Sequence, residues 1–68
     1  MNAENDISER LLNPKEVAQY LGVPVVTLYA WRHRGAGPTA SRVGRHLRYR
    51  REDVELWLER QAERDAAA

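Results

Sequence analysis

The chain of 68 residues has no cysteine, a single lysine and no long apolar run. Without cysteine there is neither a disulfide staple nor a thiolate metal site, which fits a reducing cytoplasm. No apolar stretch approaches the roughly 20 residues that span a bilayer. The opening segment MNAENDISER is polar and lacks the apolar centre of a secretion signal. No internal repeat is present. There is also no serine–histidine–acid set, no glycine-rich phosphate loop and no metal cluster, only His33 and His46 without nearby acids. The expectation is therefore a non-enzyme without cofactor or metal. Its length allows one domain at most, and a domain this small buries only about 60% of the surface its unfolded chain exposes.

What is present is arginine. The net charge of +1 conceals its distribution. From Arg32 to Arg51 lie seven arginines (32, 34, 42, 45, 48, 50 and 51), two histidines and no acid. Acids dominate on either side, with Glu4, Asp6, Glu9 and Glu16 before the block and Glu52, Asp53, Glu55, Glu59, Glu63 and Asp65 after it. A block of one sign makes a directed field whose natural partner is a polyanion. Arginine rather than lysine favours forked contacts to phosphate and guanine.

Residues 1–10 lack apolar period and read as a disordered tail. Order is expected from Leu11 or Leu12. Asn13 is a good helix cap, Pro14 suits the first helical position, and Glu16 completes a capping box. Leu12 can staple onto Val17 or Ala18, and Val17, Ala18 and Leu21 share the inward face. Gly22 ends this helix, Val23 can plug the core, and Pro24 starts a second helix over Val25 to Arg34 with Leu28 and Trp31 inward. Two short helices joined by a glycine-containing turn are a helix-turn-helix pattern. Arg32, His33 and Arg34 fall on the second helix's last turn, where positive charge suits the dipole.

From Thr39 to Arg50 the period changes to two. Val43, Leu47 and Tyr49 are expected inside and Arg42, Arg48 and Arg50 outside, about a turn at Gly44 to His46. The hairpin needs the helices to pack against, because two strands alone are marginal. A third helix begins near Arg50 or Arg51, with Glu52 and Asp53 at its positive end. Val54, Trp57, Leu58 and Gln61 form its inward stripe, and residues 63–68 are expected to fray. The fold class is α+β, mostly α: two helices, a β-hairpin wing and a C-terminal helix over residues 11–62.

The ordered set LLNPKEVAQYLGVPVVTLYAWRHRGAGP and RVGRHLRYRREDVELWLE closely resembles the excisionase-type, MerR-like winged helix-turn-helix family. The resemblance covers Leu11 to Glu59. It implies a DNA-binding module whose second helix enters the major groove and whose hairpin acts as a wing. It places Thr27 at a phosphate-contacting position and Val25, Val26, Tyr29 and Ala30 towards the groove. Arg32 and His33 come one turn later, near the backbone. Arg45 and His46 match the wing tip and Arg48 the basic residue just after it; Arg42 joins them as a wing contact. Leu28, Trp31, Val43, Tyr49, Val54, Trp57 and Leu58 match core positions. Tyr29 could serve phosphate contact or edge packing, and Arg34 and Arg51 could meet DNA or pair with third-helix acids.

Valine and alanine cannot make the bidentate hydrogen bonds that distinguish bases; they can only touch thymine methyls. Specificity would then lean on DNA shape, on a wing arginine in a narrow minor groove, or on several copies together. Some five phosphate contacts would give a slope of about −4 to −5 in log K against log salt. MerR regulators carry a dimerisation helix and effector domain after the winged domain, whereas this chain ends at Ala68, so the resemblance implies no small-molecule effector and no two-fold dimer. The favoured expectation is a phage or plasmid excisionase that binds adjacent sites cooperatively, bends DNA and directs an integrase towards excision. Its partners would be double-stranded DNA, neighbouring copies and an integrase or recombinase, with no membrane involved. The alternatives are a small MerR-like transcription regulator at a promoter and a protein-interaction module contacting a recombinase. The expected location is the cytoplasm of a bacterial host, on DNA.

Overall fold

A computed structural model describes residues 10–67; the expected N-terminal tail lies, but for Arg10, outside them. The first helix, α1 (Pro14–Leu21), starts as its sequence dictates. Asn13 is extended at φ −88° and ψ 166°. Its Oδ1 accepts from the Glu16 N–H at 2.7 Å, and Glu16 Oε1 accepts from the Asn13 N–H at 2.9 Å. Two otherwise unpaired helix donors are thus satisfied reciprocally, with Pro14 supplying a position that needs no donor. Val17 and Ala18 are buried. Gly22 closes the helix by donating to the Ala18 and Gln19 carbonyls, and Val23 donates to Ala18 while packing on the core.

The turn leads through Pro24 into α2 (Val25–His33), which has no side-chain cap at its start. Leu28, 1% exposed, fixes α2 to the interior. The helix stops at Arg34, and Ala36 donates to the Trp31 carbonyl at 2.7 Å as the chain reverses. Gly37 is obligatory there: its φ is +79°, and a Cβ would come within 3.1 Å of the Trp31 side chain.

Strands β1 (Ala40–Val43) and β2 (His46–Tyr49) pair antiparallel, with Ala40 opposite Tyr49, Ser41 opposite Arg48, Arg42 opposite Leu47 and Val43 opposite His46. This register corrects the expected sidedness. The turn contains two residues, Gly44 and Arg45, not the three from Gly44 to His46. Directly opposed residues share a face. Arg42 therefore lies on the face of Leu47 and Tyr49, while Val43 joins His46 and Arg48 on the other and is 50% exposed, not core. Gly44 has φ +63° and Arg45 does not have positive φ, the pattern of a glycine-first hairpin turn matched to strand twist.

Helix α3 (Arg51–Ala67) follows at once, with the Arg50 carbonyl accepting from Asp53 and Val54. It continues through Ala67, so helix occupies most of the segment expected to fray. Glu52 and Asp53 in its first turn and Arg64 in its last agree with its dipole.

The core takes side chains from the lead-in to α1, from α1, α2, β2 and α3: Leu12, Val17, Ala18, Leu28, Tyr49 and Val54. Tyr49 is the largest buried side chain, and its burial pushes the phenol pKa up. Leu12 does more than staple α1. Its N–H and carbonyl exchange 2.8 Å hydrogen bonds with those of Tyr49, tying the lead-in to α1 onto the root of the hairpin. Trp31 and Trp57 are half-buried, not enclosed; their tilted rings meet with centroids 5.3 Å apart.

Candidate nucleic-acid interface

With Leu28 inward, α2 must turn its other side chains outward or along its flanks. Val26 is the most exposed of them at 68%, with Ala30 one turn later also exposed. Tyr29, half exposed, begins the flank that continues into Arg32 and His33. The hairpin stands beside that flank. Between them opens a concavity of about 610 Å³.

Tyr29, Arg32 and His33 line this concavity from the helix, and Arg42, Arg45, His46 and Arg48 line it from the hairpin. Pro14 and Leu47 complete it, and no lining residue is acidic. Arg42 and Leu47 reach it from one face of the hairpin, and His46 and Arg48 from the other. Arg48 curls back, donating from Nη1 to the Leu47 carbonyl at 2.8 Å. The acid whose carboxyl feels Arg48 is Glu16, and that carboxylate is already held. It accepts from Arg10 at 2.5 and 3.3 Å and from the Asn13 N–H. These contacts, the Arg10 hydrogen bond foremost, hold its pKa below the usual carboxylate range. The concavity therefore keeps its positive sign.

A helix-turn-helix domain profile matches residues 11–62. The chain belongs to the helix-turn-helix domain family. This is a DNA-binding family that includes excisionase-like proteins. A search of the curated proteins finds no match.

In this helix-turn-helix domain, α1 and α2 are the paired helices and the β1–β2 hairpin is the wing. Every wing residue singled out from the sequence lines one surface with the end of α2. The earlier part of α2 is divided. Val26 and Ala30 face solvent, but Val25 is half-buried and packs against the core, and Thr27 is half-buried in the first turn. Val25 is the first residue of a helix whose inward side centres on Leu28, three positions on, so it shares that side. Pro14 and Leu47 were not singled out for the site. Pro14 reads from sequence only as a helix start, and Leu47 only as core. Arg34 stands on the other flank of α2, apart from the concavity. Among the described residues no three His, Cys, Asp or Glu side chains gather as a metal site, and no helix is long and apolar enough to cross a membrane.

The chemistry available is forked donation from four guanidinium groups, a phenol hydroxyl and two imidazoles, gathered in the concavity on one flank of α2 beside the apolar Val26 and Ala30. Such a surface suits phosphates flanking a groove better than it suits base edges within one.

Proposed function

We propose that the protein is an architectural DNA-binding factor of the excisionase type, which binds adjacent sites, bends the duplex and biases an integrase towards excision. The observation that carries this reading is the pairing of an arginine-lined concavity with a crest of Val26 and Ala30. The arginines supply affinity and position through phosphates. The crest offers thymine-methyl contact and no hydrogen-bond readout. Discrimination then comes from duplex shape and deformability, and from occupancy of several sites. Thr27, in the uncapped first turn of α2, adds a phosphate contact where helix N–H groups favour anions. The protein performs no catalysis itself; the integrase does the chemistry.

The test is a nuclease footprint titrated over the DNA flanking the protein's own gene. Several adjacent protected sites of one orientation, with hypersensitive positions between them, are expected. One compact site over a promoter would replace this reading with that of a transcription regulator. Retention of duplex binding after charge reversal of both Arg45 and Arg48 would remove the wing from the interface.

A further inference from the structure

A second groove, of about 550 Å³, runs along the other flank of α2, between its end and the C-terminal half of α3. The paired rings of Trp31 and Trp57 lie along it. Arg34, Arg60 and Arg64 rim it, and none of them is in an ion pair among the described residues. Apolar rings between unpaired guanidiniums suit an acidic surface that carries an apolar knob.

The molecule itself presents such a surface. Glu52, Leu56, Glu59 and Glu63 recur along α3 at four-, three- and four-residue spacing, which aligns them on one strip. All four are exposed, Leu56 at 44%. Trp57, Arg60 and Arg64 recur at three- and four-residue spacing on a neighbouring strip of the same helix. One helix thus shows an acidic strip with a leucine on one flank and a basic strip with a tryptophan on the other.

We propose that the tryptophan–arginine groove docks the acidic strip of a second copy of this chain, head to tail. The incoming leucine meets the tryptophan pair, and the incoming glutamates at 59 and 63 meet Arg60 and Arg64. Because donor and acceptor surfaces differ, the contact is heterologous and leaves each copy one free groove and one free strip, so further copies can add in a row. Exposed charge pairs contribute little each, so the contact is weak in free solution. It gains weight when a duplex holds copies side by side at high effective concentration. That last consequence rests on the DNA-binding reading; the contact itself does not.

The lack of native cysteine makes a direct test clean. Arg60→Cys and Glu59→Cys proteins, mixed at millimolar concentration and low salt with a short bis-maleimide, should cross-link to each other in preference to themselves. Adding Arg64→Glu to the first should abolish the preference, and adding Glu63→Arg to the second should restore it. No preference for the mixed pair overturns the proposal. In a second arm, Arg60→Glu/Arg64→Glu should lower cooperativity on a long mixed-sequence duplex by roughly five- to tenfold, with binding of one copy to a short duplex unchanged. A fall in short-duplex affinity would assign the groove to DNA and overturn the proposal. If the unaltered protein binds no duplex, the DNA reading fails while the cross-linking still decides the contact.

Discussion

Removing Arg45 from the wing tip should flatten the salt dependence of DNA binding by a calculable amount. Four arginines line the concavity: Arg32, Arg42, Arg45 and Arg48. Each phosphate neutralised on B-DNA contributes about 0.9 to the slope of log K against log salt. Four contacts give a slope of about −3.6, and three give about −2.7. From about 50 to about 200 mM salt the unaltered protein should lose roughly 150-fold in affinity, and Arg45→Ala only roughly 40-fold. Fluorescence anisotropy on a labelled mixed-sequence duplex reads both slopes. Because phosphate contacts carry no sequence information, the variant should weaken equally on every duplex, and Arg45→Lys should keep the slope. An unchanged slope in Arg45→Ala, or a loss confined to one base position, would refute the assignment of Arg45 to the backbone.

Leu28→Ala should cost about 2–5 kcal/mol in urea unfolding, because it opens a cavity where α2 meets the core; for so small a domain that is most of its stability. Asn13→Ala should cost about 1 kcal/mol by removing half of the capping box, seen as a melting temperature lower by about 4–8 °C. Gly37→Ala forces a positive φ on a side chain pressed against Trp31, so it should destabilise the fold and shift the tryptophan emission. Glu16 has its pKa lowered, so its ionised form is favoured in the folded state. The resulting stability is fully present above the ordinary glutamate pKa of about 4.3 and is lost as pH falls through the lowered folded value. Urea midpoints should drop across that acid window, and Glu16→Gln should lack this part of the drop.

The parts of the fold that local chemistry decides were legible in the sequence. Asn13, Pro14 and Glu16 specify the start of α1 through contacts within one turn, and the glycines after each short helix mark where it stops. The inward stripe of α3 follows from spacing alone: Val54 is buried, and Trp57, Leu58 and Gln61 are half-buried beneath it. The sidedness of the hairpin was not legible, because it depends on the number of residues in the turn. One residue fewer exchanges the partners of a whole strand, which is how Val43 left the core and Arg42 joined the face of Leu47 and Tyr49. The two tryptophans were expected as core, yet an interior built from so few side chains encloses Tyr49 and leaves two indoles to shelter one another at its edge. The arginine block announced a polyanion-binding surface. It could not announce its division, in which Arg32 and Arg34, two residues apart, serve opposite flanks of α2.

The bridge between Leu12 and Tyr49 gives the wing the mechanics of a cantilever. Its root is clamped on both sides, by the sheet partner Ala40 and by a residue from the far end of the domain's sequence. Its tip, from Val43 to His46, is exposed and is held only by the last pair of the ladder, Val43 opposite His46. Stiffness is therefore greatest where the wing leaves the body and least where its side chains would meet a ligand. The bridge thus fixes the root of the wing to the lead-in of α1. On the proposed excisionase-type reading, a duplex gripped by both α2 and this clamped wing would supply compliance itself, so steps that kink readily would bind at lower elastic cost than stiff ones.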